Sequence, residues 1–226
     1  ILIIGKLTSY FVFLVTNANV KMRNDLTPEE RWWLINKIKN SEPQIPIEGF
    51  ANPLSTLTLL LLNGGSRVVL GVRSNATIFR GGYVGASAME NVSPANDVIE
   101  KNGNKYIDIF NTIRRGLKEE LAVEPDEIQK DSMYITSLAF DPDIYDYKFT
   151  AVASTSLSES EIKKRFDLGI PKDKYENSEL IFLDFPITWT EIERYSKKTG
   201  KMFSPEAMTT LLVTGAHLKG WSYVLR

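Results

Sequence analysis

The chain has 226 residues, of which 43% are hydrophobic and 24% charged, with a formal net charge of -1 and no cysteine. This length is enough for one large domain, or for one domain with an extension. The nearly neutral charge excludes nucleic-acid binding through a strongly basic surface. The absence of cysteine excludes disulfides, zinc–thiolate sites and cysteine nucleophiles, and it is compatible with the cytoplasmic location that we expect.

The first fifteen residues are largely apolar and raise the question of a membrane segment. Lys6, Thr8 and Ser9 interrupt the run, which is shorter than the roughly 18 apolar residues that a spanning helix needs. A basic start and a small-residue cleavage site are both missing, which argues against a signal peptide. We therefore predict one or two buried strands here and no membrane partner.

A helix is predicted to begin at Thr27, which forms a capping box with Glu30. A connector with three prolines follows this helix and has no regular pattern. The end of that connector is where we place the domain boundary. The sequence thus predicts an N-terminal extension over residues 1–55 and a main domain over residues 56–226.

The main domain begins with two apolar runs, over residues 56–73, that predict a β-hairpin with its turn at Asn63-Gly64-Gly65-Ser66. Apolar runs without polar alternation indicate strands buried on both faces. Further strands are predicted over residues 83–87, 132–140, 147–155 and 178–185, and a surface loop over residues 91–104. Helices are predicted over residues 106–121, 158–166 and 204–218, with another beginning at Thr188. This alternation indicates an α/β (α+β) fold, a mixed sheet covered by helices.

The helix over residues 106–121 carries the candidate chemistry. Glu119 and Glu120 are adjacent, and neighbouring carboxylates suit a hard divalent cation. Arg115 lies four residues before Glu119, the spacing at which helical side chains pair. Gly116 in a helix interior costs about 1 kcal/mol relative to alanine, and either a close approach of another chain segment or a lost side chain would explain it.

Residues 115–123 resemble the end of the Nudix box, whose pattern is G-x5-E-x7-R-E-U-x-E-E-x-G-U, where U is aliphatic. Arg115, Glu119 and Glu120 match it. Gly116 and Ala122 depart from it, because the motif has a glutamate and a glycine at these positions. The hairpin, with Arg73 at its end, and the pair Gly81-Gly82 are also similar to the family.

The upstream half of the motif does not align at its usual spacing. Counted from Gly82, the expected glutamate falls on Ala88, and residues 91–104 become an insertion within the box. Glu90 lies close enough in sequence to replace that glutamate. The glutamate that the motif has at the position of Gly116 is also missing, and the carboxylates that offer a replacement for it are Glu90, Asp108, Asp141, Asp143 and Asp146.

The resemblance implies a Nudix-like α/β/α sandwich that hydrolyses a nucleoside diphosphate derivative with Mg²⁺ or Mn²⁺. Glu119 and Glu120 would be catalytic residues and metal ligands, with Glu90 as a third ligand. Arg115 would be the third catalytic residue, and its role would be to orient the glutamates. The substrate-binding residues of this hypothesis, at the approach to the box, are Arg73 and Gly82.

Gly116 and Ala122 leave two other hypotheses open. One is a degenerate Nudix fold that binds a nucleotide or a related small molecule without cleaving it. The other is a structural or interaction domain, which would form a homodimer through the N-terminal extension. A cation site requires that Glu119, Glu120 and a third carboxylate converge within about 5 Å. His217, the one histidine of the chain, is predicted to be structural.

Overall fold

The computed structural model describes residues 54–77, 80–141 and 146–225. The predicted N-terminal strands, the helix from Thr27 and its connector lie outside these residues, as do Asp143 and the side chain of Asp141. The chain divides into two compact units, Thr56–Ser137 with Phe149–Arg226, and Ile1–Ser55 with Leu138–Lys148. The domain boundary at residue 55 stays a prediction.

The described residues of the smaller unit contain a buried ion pair. Lys148 is almost fully buried and pairs with Asp146. The hydroxyl of Ser55 donates a hydrogen bond of 3.2 Å to the same carboxylate. Asp146, one of the candidate metal ligands, is thus paired with a lysine of its own unit.

The described part of the chain contains eight strands and five helices. The strands are β1 (Leu54–Leu62), β2 (Arg67–Arg73), β3 (Ala88–Asn91), β4 (Val98–Lys101), β5 (Asn104–Ile107), β6 (Tyr134–Asp141), β7 (Asp146–Ser154) and β8 (Asn177–Asp184). The helices are α1 (Ile109–Leu121), α2 (Glu159–Asp167), α3 (Trp189–Thr199), α4 (Pro205–Lys219) and α5 (Trp221–Val224). The main sheet has the strand order β6-β7-β1-β2-β8, with β3 paired to β1, and β4 and β5 form a separate hairpin.

Helices cover both faces of the sheet in the larger unit. Successive side chains of a strand point to opposite faces, and in β1 Leu59 packs into a core cluster that includes Leu211 of α4. Its neighbour Leu60 packs into a second cluster that includes Leu117 of α1. This arrangement confirms the predicted α/β/α sandwich with a mixed sheet.

Local signals in the sequence predicted several elements correctly. β1 and β2 pair antiparallel around the Asn63–Gly65 turn, where Gly64 has the left-handed φ of 67° that favours glycine. Ser158 and Thr188 each form the predicted capping box. Among the described residues, no helix has both the length and the apolarity needed to cross a membrane.

The region before α1 differs from the prediction. The strand predicted over residues 83–87 is wrong, because Val84 forms only isolated bridges and the strand β3 starts at Ala88. Residues 91–104 are not a plain loop: Asn102 and Gly103 both have positive φ, and they form the turn of the β4–β5 hairpin. The helix starts at Ile109 rather than at residue 106, because the preceding residues pair in that hairpin.

Candidate metal centre

Helix α1 carries Arg115, Glu119 and Glu120, and both of its ends are capped. It begins after Asp108, whose carboxylate accepts a hydrogen bond of 3.2 Å from the backbone N–H of Asn111. Asp108 is therefore a helix cap in this structure. The helix ends at Leu121, and Ala122, which caps it, adopts the left-handed conformation with φ 54° and ψ 38°. Glycine adopts this conformation more readily than alanine, which gives the physical reason for the glycine at this place in the motif.

Three carboxylates converge beside this helix, on Glu90 of β3, Glu119 of α1 and Asp173 of the turn before β8. One oxygen from each lies within 4.8 Å of the others, and all three residues are half-buried. The backbone N–H of Asp173 donates a hydrogen bond of 2.8 Å to the carbonyl of Glu119, so the turn is fixed to the last part of the helix. Asp173 was not predicted from the sequence.

Arg115 contacts two of the three carboxylates, those of Glu90 and Glu119. Its Nη1 lies 2.9 Å from Glu90 Oε1 and 3.9 Å from Glu119 Oε2, and the second contact is the predicted pairing within α1. Its Nη2 lies 2.8 Å from a carboxylate oxygen of Asp97 and donates a hydrogen bond of 2.6 Å to the carbonyl of Asn91. The guanidinium therefore connects α1 to β3 and to the segment that follows it.

Asp97 is a buried partner that sequence reasoning missed. Its side chain is fully buried, and it accepts hydrogen bonds from the backbone N–H of Ser93 and the amide of Asn111. Burial by itself raises the pKa of Asp97, but hydrogen bonds from Arg115 and Ser93 outweigh it and hold the pKa below its usual value. A charged Asp97 thus ties the insertion before α1 to the candidate site.

Gly116 lies directly against Glu90. A Cβ at Gly116 would be 2.9 Å from the Cβ of Glu90 and 3.5 Å from that of Ala88. The first distance is shorter than side chains normally tolerate, so the missing side chain is what lets β3 approach the helix. Of the two explanations for Gly116 drawn from the sequence, this structure supports the close approach. Glu90 consequently stands beside the helix position that lacks the carboxylate of the motif.

Glu120 faces a different direction from Glu119, because successive helical residues are about 100° apart. It is 4% exposed and accepts hydrogen bonds of 2.6 Å from the N–H of Met89 and 3.1 Å from the side-chain amide of Asn177. Burial, with the nearby charge of Glu176, raises the pKa of Glu120 to about 8. The structure therefore brings Glu90 and Glu119 together with Asp173, and places Glu120 in the adjoining interior.

Arg73 and Gly82, the predicted substrate-binding residues, lie together at the end of β2. Gly82 has a φ of 80° and donates its N–H to the carbonyl of Arg73 at 2.8 Å. The Arg73 guanidinium is 3.7 Å from the carboxylate of Glu176. Burial raises the pKa of Glu176, although Arg73 opposes this. Substrate contact by Arg73 and Gly82 stays a prediction.

The donor set of the cluster fits a hard divalent cation. All three donors are carboxylates, the preferred ligands of Mg²⁺ and Mn²⁺. Two positive side chains face the carboxylates in the described structure: Arg115, and Lys172, whose Nζ is 3.1 Å from Glu119 Oε1. With Asp97 included, negative groups outnumber positive ones. Burial raises the pKa of Glu90 and of Asp173, as expected for carboxylates crowded in a half-buried place.

No protein-family profile matches the chain, and no curated protein matches it significantly. Solved structures do match it. DR0079 from Deinococcus radiodurans is 14% identical, with a TM-score of 0.46 and coverage of 76% of this chain and 86% of that one. The Ap4A hydrolase of C. elegans is 13% identical, with a TM-score of 0.42 and coverage of 74% and 98%. The NUDIX domain of Shewanella oneidensis NrtR, complexed with ADP ribose, is 12% identical, with a TM-score of 0.37 and coverage of 86% and 100%. Over most of its length, the chain is thus similar to solved structures that include Nudix proteins, the family that residues 115–123 resemble.

Proposed function

We propose that the protein is a divalent-cation-dependent hydrolase of a nucleoside diphosphate derivative. The observation that carries this proposal is the convergence of Glu90, Glu119 and Asp173 within 4.8 Å. The resemblance around Arg115 supplies the class of reaction. A bound Mg²⁺ or Mn²⁺ would neutralise the diphosphate oxygens and increase the acidity of an attacking water.

The residues of the chain have separate roles in this proposal. Glu90 and Glu119 would hold the cation, and Asp173 adds a ligand from outside the motif. Arg115 keeps Glu90 and Glu119 in place through its contacts of 2.9 Å and 3.9 Å. Glu120 would support the site by accepting the Met89 N–H, which fixes the strand residue next to Glu90.

Hydrolysis of a panel of nucleoside diphosphate derivatives tests the proposal. We expect phosphate or nucleotide release by the wild type with Mg²⁺ or Mn²⁺, and none after removal of the cation with a chelator. Glu119→Gln should reduce turnover at least about 100-fold, because it removes one anionic ligand of a hard cation. Glu193→Gln on α3, which carries an exposed carboxylate, is the matched control and should keep wild-type turnover. Equal turnover by the wild type and Glu119→Gln would contradict the proposal.

A second function, ligand binding without cleavage, is favoured by the environment of Glu120. This carboxyl is buried, and its pKa of about 8 favours the uncharged form at neutral pH, so it adds little negative charge for a cation. Thermal unfolding with ADP-ribose-like ligands tests this alternative, because a ligand that binds the native state raises the apparent Tm. A rise in Tm without turnover of any derivative in the panel would favour the binding module.

A further inference from the structure

The turn between α2 and β8 brings a lysine into contact with the candidate metal centre. Lys172 Nζ lies 3.1 Å from Glu119 Oε1. The lysine side chain is 72% exposed, whereas that of Glu119 is 19% exposed. A flexible, solvent-facing ammonium thus contacts one of the carboxylates that would bind the cation.

We propose that the Lys172 ammonium occupies Glu119 only while the cation is absent, and that it moves to an anionic phosphate group of the ligand once the cation binds. This inference rests on the metal site of the proposed function. It gives Lys172 two successive partners, Glu119 and then a phosphate oxygen.

The contact of Lys172 with Glu119 is weaker than the contact that a divalent cation would make with the three carboxylates. An exposed ion pair between a lysine and a carboxylate contributes little, because solvent screens it and the lysine loses side-chain freedom. A divalent cation would interact with Glu90, Glu119 and Asp173 at once. It would therefore displace the single ammonium, and the lysine would weaken cation binding only modestly.

The backbone next to Lys172 keeps this residue near the carboxylate cluster. The N–H of Asp173 remains hydrogen-bonded to the carbonyl of Glu119 at 2.8 Å, and this bond involves no side chain. The displaced ammonium therefore stays beside the cluster, where a cation-bound phosphate group would lie. Lysine binds phosphate as a flexible point charge, and Lys172 has the reach and exposure for that role.

Lys174, in the same turn, offers a matched control. Its Nζ donates a hydrogen bond of 3.3 Å to the carbonyl of Asp167 and lies 5.1 Å from the ring centroid of Phe166. It carries the same charge as Lys172 but contacts none of the three cluster carboxylates in the described structure. Lys172→Met and Lys174→Met therefore remove equal charge at two places in one turn.

Titration with Mn²⁺ alone, followed by electron paramagnetic resonance, tests the displacement. We expect Lys172→Met to bind Mn²⁺ about two- to fivefold more tightly than the wild type, the range set by an exposed ion pair. Lys174→Met should match the wild type, and Glu119→Gln should bind more weakly. Equal affinity of Lys172→Met and wild type, with Glu119→Gln weakened, would overturn the displacement and leave the cation site standing. Absence of Mn²⁺ binding by the wild type would overturn both.

Calorimetry with inorganic pyrophosphate at saturating Mg²⁺ tests the move to the anion. We expect Lys172→Met to bind pyrophosphate at least about fivefold more weakly, because it loses a charge-assisted hydrogen bond. Lys172→Arg, which keeps the charge, should restore most of the affinity, and Lys174→Met should bind as the wild type does. A uniform loss in both methionine variants would show general electrostatics and overturn the second half, as would unchanged binding by Lys172→Met.

Discussion

The Cβ that Gly116 lacks would lie 2.9 Å from the Cβ of Glu90. Gly116, which stands where the motif has a glutamate, and Glu90, which precedes the insertion, are therefore two parts of one contact between α1 and β3. The glycine lowers helix propensity, but it permits the approach that places the Glu90 carboxylate in the cluster. Because of this contact, we expect glycine to be more favourable than alanine at position 116, the reverse of the usual order in helix interiors.

Gly116→Ala should destabilise the protein. Replacing glycine by alanine in a helix interior normally stabilises by about 1 kcal/mol. Here the added methyl would push β3 away, and overpacking of this kind costs about 1–3 kcal/mol. Urea unfolding at equilibrium measures the difference. In a Glu90→Gly background the same substitution should be tolerated, because the opposing Cβ is gone, and a stabilising Gly116→Ala in the wild type would contradict the contact.

Glu120 should make the cation-free protein less stable as the pH rises. Its folded pKa of about 8 exceeds the ordinary value of 4.5, so between these values the folded state keeps a proton that the unfolded state has lost. Stability from this group is therefore full below about pH 4.5, falls up to about pH 8, and is constant above that.

The comparison of the wild type with Glu120→Gln measures this effect. In chelator-treated samples, the free energy of unfolding of the wild type should fall relative to that of Glu120→Gln between pH 5 and pH 8. Glutamine keeps an oxygen that accepts the Met89 N–H and cannot ionise. Parallel pH profiles of the two proteins would show that Glu120 is ionised in the folded state at neutral pH.

Arg115→Met should cost about 3–5 kcal/mol of stability. The substitution leaves the fully buried Asp97 without the guanidinium that pairs with it. Removing one partner of a buried ion pair costs about 3–5 kcal/mol. Urea unfolding of the single variants Arg115→Met and Asp97→Asn and of the double variant gives the coupling. The double variant should lose less than the sum of the single ones, since it leaves no unpaired charge at residue 97. Strict additivity would mean that the two residues do not act as a pair.

The parts of the fold that were predicted correctly depend on neighbours in sequence. The β1–β2 turn follows from the Asn63–Gly65 segment, and the starts of α2 and α3 follow from Ser158 and Thr188 with a glutamate three residues later. The β4–β5 hairpin was missed although Asn102-Gly103 is a strong local turn signal. In that case, the polar composition of residues 91–104 favoured a loop in our interpretation.

The site was only half predictable, for a different reason. Arg115 and Glu119 are one helical turn apart, so their contact follows from helix geometry. Asp97 and Asp173 join them through tertiary contacts, and no spacing in the sequence indicates these. Asp173 in particular is joined to Glu119 by a backbone hydrogen bond. Residues of any type except proline can donate such a bond, so the sequence does not indicate it.

Asp173→Asn should weaken cation binding about tenfold without unfolding the protein. The backbone bond from Asp173 to Glu119 does not depend on the carboxylate, so the turn should keep its place. Affinity for a hard cation depends on the charge of its ligands, and the variant removes one negative charge from the three that converge. Titration with Mn²⁺ measures the loss, and Asp167→Asn, which alters an exposed pair with Lys163, should bind as the wild type does. Equal affinities of Asp173→Asn and wild type would restrict the cation site to Glu90 and Glu119, the two members of the cluster that sequence reasoning had already named.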